Sequence, residues 1–160
     1  MQAIAAIPES SASLTETIST LLRSKGNEVV SVSVDSTVFE AVEKMAENHI
    51  GALLVFDGDH LSGIVSERDY ARKVILKGRH SHDTQVREIM SSPVHSVTPE
   101  RTVDECLCLM TKERIRHLPI VENEKVMGLV SMGDLVKWII SSQSHTIHHL
   151  QNYIAGEYPC

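Results

Sequence analysis

Serine followed three residues later by aspartate occurs at Ser66 with Asp69 and again at Ser131 with Asp134. Each pair ends a stretch of glycine and two aliphatic residues, "GIVSERD" and "GLVSMGD". Two chemistries fit this spacing. At a helix start the serine oxygen accepts a free backbone N–H and the acid suits the positive helix end, a variant of the capping box worth about 1 kcal/mol. Facing a ligand, the same helix start attracts anions, and the carboxylate beside it accepts both hydroxyls of a ribose. Glycine in the strand before it either marks a bulge or admits a close neighbour. The motifs alone do not separate a cap from a binding site.

Basic side chains tip the balance towards binding. "RIRHLPIV" sets Arg114, Arg116 and His117 at the start of a strand, where the other copy has only "HIGALLVF". Arg114 reads as a solvated helix end, and His117 as either a satisfied core histidine or a ligand contact. Arg116 has no structural need, and a guanidinium suits phosphate. Strand alternation sets Arg116 and His117 on opposite faces, so both reach one ligand only where the strand's end is a loop.

These residues are positioned by a duplication. A shift of 65 carries Val38 onto Val103, Met45 onto Met110, Ile50 onto Ile115, Gly63 onto Gly128, Ser66 onto Ser131 and Asp69 onto Asp134. Two copies suit a pseudo-two-fold pair, whereas a solenoid needs more. Each copy reads as strand, helix, strand, strand, helix. "VVSVSV" is a β-branched run, and Val38, Ala41, Val42 and Met45 share one helical face, repeated as Val103, Cys106, Leu107 and Met110. "GALLVFDGDHLSGIVS" predicts a hairpin turning at Asp57-Gly58, and its counterpart turns at Glu122-Asn123. "ERDYARKVIL" and "MGDLVKWII" close the copies as helices. Trp138, the stripe methionines Met45 and Met110, and Cys106 read as packing.

The flanks add a leading helix, with Leu14, Ile18, Leu21 and Leu22 on one side and Gly26 at its end, and a tail stripe of Ile147, Leu150 and Ile154. "KGRHSHDTQ" reads as a polar linker. A chain of 160 residues is one ordinary domain or two very small ones. Its net charge of −6 argues against nucleic acid, which needs clustered cations. No apolar run approaches the roughly 20 residues of a membrane span. The N-terminus lacks the basic start of a signal or transit peptide, so a cytoplasmic protein is expected. Cys106, Cys108 and Cys160 are badly spaced for a disulfide framework and suit reduced thiols.

Catalysis finds no support: the nine histidines form no nucleophile–base–orienter pattern, and no glycine-rich phosphate loop is present. His145 with His148 and His149 has helical spacing for a metal, although a solvated polar tail is the more ordinary explanation; no metal is expected.

Both copies resemble the CBS repeat, named for cystathionine β-synthase, and the pair resembles the tandem called a Bateman module, from about Lys25 to Ile140. The two Gly-x-x-Ser-x-x-Asp endings, "RHLPIV" and "MSSPV" carry the likeness, which is to free-standing bacterial members. The resemblance implies an α+β fold of two tandem β-α-β-β-α repeats. It divides the chain into a leading helical segment (1–27), repeat one (28–77), a linker (78–88), repeat two (89–141) and a helical tail (142–160). It implies a non-enzymatic regulatory module that binds an adenosine nucleotide (AMP, ADP or ATP, or NAD) in two clefts and acts as an energy or redox sensor in signal transduction.

Carried over residue by residue, one cleft combines Ile64, Ser66, Arg68 and Asp69 with Met90, His95, Ile115, Arg116 and His117. The other combines Leu129, Ser131, Gly133 and Asp134 with Lys25, Val30, Ile50, Gly51 and Ala52. The first is expected to take the more strongly charged part of a ligand, the second a nucleoside or the far end of a dinucleotide. A homodimer through the helices and a protein effector are further expectations. The alternatives are a structural or interaction dimer with empty clefts and a metal-binding protein acting through the histidine-rich tail.

Overall fold

A computed structural model describes residues 12–142. Helices α1 (Ala12–Thr15) and α2 (Ile18–Lys25) lead. Strand β1 (Ser31–Ser33), helix α3 (Val38–Glu47), strands β2 (Ala52–Asp57) and β3 (His60–Ser66) and helix α4 (Glu67–Lys73) form the first copy. Two 3-10 turns follow, Ile75–Lys77 and Val86–Glu88. The second copy holds α5 (Val103–Glu113), β4 (His117–Glu122), β5 (Lys125–Ser131) and α6 (Met132–Ser142). Strand β1 runs parallel to β2, which pairs antiparallel with β3. Strands β4 and β5 pair in the same antiparallel way. The second copy's first strand has shrunk to one parallel bridge, Val97 with Ile120, the counterpart of Val32 with Val55.

The α+β order expected from the sequence is present, and so are its apolar faces. Val38, Ala41 and Met45 are buried on α3, with Val42 half-buried. Val103, Cys106, Leu107 and Met110 are all buried on α5. Both helices start from a threonine whose oxygen accepts the N–H of a glutamate three residues on: Thr37 with Glu40 and Thr102 with Glu105. The glutamates return the bond, at 2.8 and 2.9 Å, completing capping boxes that pin each helix start.

Compactness divides the chain differently from its repeats. Glu28–Ser96 form one unit, and the described residues before Glu28 join those from Val97 onward in the other. The reason lies in one repeated connection. In the second unit Ile18 N donates to Arg101 O and Val103 N to Glu16 O. In the first, Val86 N donates to Ser36 O and Val38 N to Thr84 O. The repeat residues in these bonds differ by 65 (Ser36 and Arg101, Val38 and Val103), but the added segments differ by 68 (Ile18 and Val86, Glu16 and Thr84). Helix α2 therefore does for the second repeat what residues 84–90 do for the first. Leu14, Ile18, Leu21 and Leu22 enter the core of Val103, Leu107, Met110, Leu118 and Ile120. Val86 and Ile89 enter that of Val38, Met45, Leu53 and Val65. The residues read as a polar linker thus include a buried threonine, Thr84, which donates to His80 O at 2.8 Å, and a buried valine.

Several local expectations need correction. Asp57 pairs with His60 and Glu122 with Lys125, so the turns are Gly58-Asp59 and Asn123-Glu124, one residue later than expected. Two-residue loops need left-handed backbone, and Gly58, Asn123 and Glu124 all have positive φ. The leading helix breaks between α1 and α2, where Thr17 bridges to Thr102. The run 29–34 forms strand only at Ser31–Ser33. The helix begun by "ERDYARK" ends at Lys73, passing into a 3-10 turn that closes on left-handed Gly78.

Cys106 is a buried free thiol whose pKa burial, with the Glu105 charge, pushes up to about 12. Cys108 carries a disulfide bond, which overturns the expectation of reduced thiols throughout; Cys160 lies outside the described residues. So do the tail stripe and His145, His148 and His149. No helix among the described residues is long and apolar enough to cross a membrane.

Candidate functional site

The hairpin β4–β5 and the helix after it build the richer group of polar side chains. Ser131 ends β5 and precedes α6, and its oxygen accepts the Asp134 N–H at 3.1 Å. Asp134 Oδ2 accepts from Ser131 N at 2.8 Å, closing the cap. Lys25, the last residue of α2, places its ammonium 2.5 Å from the same Oδ2 and 2.6 Å from the Leu129 carbonyl oxygen. Burial pushes the Asp134 carboxyl up, but Lys25 and the Ser131 donors outweigh it and hold the pKa below the ordinary carboxylate value.

His117 opens β4 directly opposite Ser131 in the ladder, so the two side chains share a face. Burial lowers the His117 pKa; the Asp134 charge opposes this, while Lys25 and Arg116 reinforce it. The imidazole is therefore held towards its neutral form, in which one ring nitrogen donates and the other accepts. Arg116 sits in the bend before the strand, the condition under which its side chain escapes strand alternation. Its carbonyl accepts from Met132 N at 2.8 Å, satisfying one free N–H at the start of α6. Its guanidinium is exposed and makes no ion pair among the described residues. Ile115 and Leu129 are half-buried beside this group, and Gly133 is exposed in the first turn of α6.

The first unit repeats the frame with other side chains. Ser66 Oγ accepts from Asp69 N at 3.2 Å, and Asp69 Oδ2 accepts from Ser66 N at 3.0 Å and Ser66 Oγ at 2.9 Å. The Gly51 carbonyl accepts from Glu67 N, as that of Arg116 does from Met132 N. Opposite Ser66 stands buried Ala52 in place of the histidine. Arg68 is exposed on the first turn of α4. Ile64 bridges to Ser91 beside the half-buried Met90, and His95 is exposed further along. Val30 and Ile50 are half-buried on this unit's core, where Val30 O accepts from Leu54 N.

Both glycines before the motifs stand at bulges and also at close approaches. Each ladder shifts register just past the glycine, which pairs with Val55 or Ile120. A Cβ on Gly63 would lie 2.6 Å from Met90 Sδ and 3.0 Å from the Ser91 carbonyl oxygen; one on Gly128 would lie 2.9 Å from Leu22 Cδ2. Leu22 and Met90 again differ by 68, so the glycines admit the two equivalent packing segments.

Of the expected residues, Lys25, His117, Leu129, Ser131 and Asp134 come together within one unit. Ser66, Asp69 and Ala52 come together within the other. The sequence reading missed Lys73. Its ammonium lies 2.8 Å from Asp69 Oδ1 and 2.6 Å from the Ile89 carbonyl oxygen. The signal was available as an acid and a base four apart on one helix.

Fold and internal repeat together define a duplicated α+β module in which each copy ends in a serine–aspartate turn. The CBS domain family model matches residues 11–76 and 86–141. The chain therefore belongs to the CBS domain family, and its two repeats form the expected tandem. It is similar to the mitochondrial CBS domain-containing protein CBSX3 of Arabidopsis thaliana, 38% identical over 151 residues that cover 89% of this chain and 73% of the relative. It is also similar to YhcV of Bacillus subtilis, 33% identical over 73% of this chain and 83% of the relative. Among solved structures, a protein with CBS domains from Burkholderia ambifaria matches with a TM-score of 0.78 and 47% identity, covering 82% of this chain and 99% of its own. A hexameric CBS-CP12 protein from bloom-forming cyanobacteria matches with a TM-score of 0.69 and 27% identity, covering 84% and 75%.

Proposed function

We propose that this chain is a non-catalytic regulatory module that binds an adenosine nucleotide through its serine–aspartate turns. The observation that carries this reading is the Ser131 turn. A carboxylate, an ammonium and an imidazole converge there at the start of a helix, a set of acceptors and donors suited to sugar hydroxyls and phosphate. Within the unit of the Ser131 turn, Arg116 supplies a further cation and Ile115 an apolar surface; within the unit of the Ser66 turn, Arg68 and His95 supply polar groups and Ile64, Met90, Val30, Ile50, Gly51 and Ala52 apolar or small surfaces. A ligand acts as a signal only by binding one of two states more tightly. We take the state so selected to be read by a partner protein or a second copy of the chain, in the cytoplasm.

The capping boxes favour a second reading, in which the turns only secure their helices and the chain serves as an interaction module. Thermal melting with AMP, ADP, ATP, NAD, NADH and S-adenosylmethionine separates the two. The binding reading expects at least one adenosine compound to raise the melting temperature with increasing concentration, and no turnover of the bound compound by chromatography. No shift with any of them at millimolar concentration refutes it.

We further propose a homo-oligomer. Ile75 and Ile140, 65 apart, are both largely exposed, as is Leu76. The hexameric relative supports assembly as such, and light scattering at micromolar concentration would read the order.

A further inference from the structure

We propose that the sulfur joined to Cys108 is that of Cys160, so that the tail beyond α6 is tethered to α5 by a disulfide that reduction opens. The pairing follows by elimination. The chain holds three cysteines, Cys106, Cys108 and Cys160. Cys106 is a free thiol, and Cys108 carries a disulfide bond. Within the chain only Cys160 is left to partner it.

Helix geometry separates the two neighbours on α5. Residues two apart point about 200° away from each other around the axis. Cys106 is buried in the core with Val103, Leu107 and Met110, while Cys108 is half-buried on the other side. The matching positions of the first repeat hold buried Ala41 and exposed Glu43. The duplication therefore kept the core side of this helix, and the outer cysteine belongs to the second repeat alone.

The tether is within reach. Helix α6 is eleven residues long and packs on α5. Eighteen residues run from its end to Cys160. Even at the rise of an α-helix they span roughly 27 Å, against roughly 16 Å for α6 itself. That is enough chain to return along α6 to either end of α5. Opening the bond would free a segment in which Ile147, Leu150 and Ile154 have the spacing of one apolar side.

The opening reaction is thiol–disulfide exchange with a dithiol. One thiolate of the reductant attacks a sulfur of the bond, forming a mixed disulfide, and the other cysteine leaves as a thiolate that takes up a proton. The second thiol of the reductant then displaces the remaining cysteine. Two electrons pass to the cysteines, and the dithiol becomes a disulfide. Cys106 stays out of the exchange: burial holds its thiol pKa up at about 12, so at neutral pH it carries almost no thiolate, the reactive form. In a reducing compartment a bond of this kind is transient and reports redox state.

Protein purified without reductant, unfolded in iodoacetamide and digested with trypsin tests the pairing by mass spectrometry. The peptide holding Cys108 should be joined to the one holding Cys160 and should part from it on reduction, with Cys106 alone alkylated and the chain monomeric on a non-reducing gel. Three alkylated cysteines, or a disulfide-linked dimer on that gel, overturn the pairing. Chymotrypsin digestion of the folded chain reads the release. Dithiothreitol should speed cleavage at Tyr153 roughly fivefold or more, and Cys160→Ser, its fold verified by melting, should be cut at the faster rate with or without reductant. Equal rates for the oxidised and reduced chains overturn the switch.

Discussion

Lys25 and Asp134 lie 109 residues apart in the chain and meet at 2.5 Å, joining the end of α2 to the first turn of α6. One ammonium thereby ties the leading helix to the motif of the second repeat. In the first repeat the same service comes from Lys73, only four residues beyond Asp69. The duplication did not copy the cation: 68 beyond Lys25, the offset of the packing segments, stands Pro93, and 65 beyond Lys73 stands Trp138. Each aspartate has acquired its partner independently, one by local helix spacing and one by tertiary packing.

Lys25→Met should lower stability at pH 7 by about 1 kcal/mol, since the pair is partly exposed and screened. The Asp134 pKa is depressed in the folded state, so the pair's contribution is present above the unfolded carboxyl value of about 3.9 and is lost as pH falls through the lower folded value. Urea unfolding of both proteins should therefore show a gap at pH 7 that narrows towards pH 3. A gap independent of pH would mean that the lysine stem, and not its charge, stabilises the contact.

His117 makes a second pH-dependent contribution. Its folded pKa is lowered, so the unfolded chain takes up the proton first as pH falls below about 6.5. Its stabilisation is present above that value and is lost as pH falls through the folded pKa. Against His117→Gln, the wild type should lose more stability between pH 7 and pH 5. Parallel melting profiles for the two would contradict the burial argument.

Gly63→Ala should cost about 1–3 kcal/mol, as overpacking does when a neighbour cannot yield. The added methyl meets a backbone carbonyl, that of Ser91, as well as Met90. Gly128→Ala meets only the leucine side chain of Leu22, which can rotate, and should cost less. Chemical denaturation of the pair reads the order directly.

Leu21 is 2% exposed in the core of the second unit, although it precedes both repeats in the chain. Leu21→Ala should cost about 2–5 kcal/mol, the range for emptying a packed site. Hydrogen exchange should show the lost protection in α5, β4 and β5, while α3 and β2 keep theirs. Equal loss in both halves would argue that the unit boundary has no energetic meaning.

Much of this was legible beforehand because it depends on local chemistry. The duplication, the four-residue apolar faces of α3 and α5 and the serine–aspartate turns all follow from spacing within single elements. So did the packing role of Cys106, Met45 and Met110. The turns came out one residue early because the register of a hairpin is set across two strands, here by Asp57 with His60 and Glu122 with Lys125. The linker was misjudged on composition: its hydrophilic residues hide the fact that Thr84 and Val86 are buried.

By itself, the sequence determined that two copies of one α+β unit exist and that each ends in an acid beside a helix start. Tertiary structure alone decided that α2 completes the second repeat and that Lys25 faces Asp134. The physical reason is range. Periodicity and capping act over one or two helical turns, whereas the placement of a charge 109 residues away is fixed only when apolar faces bury one another.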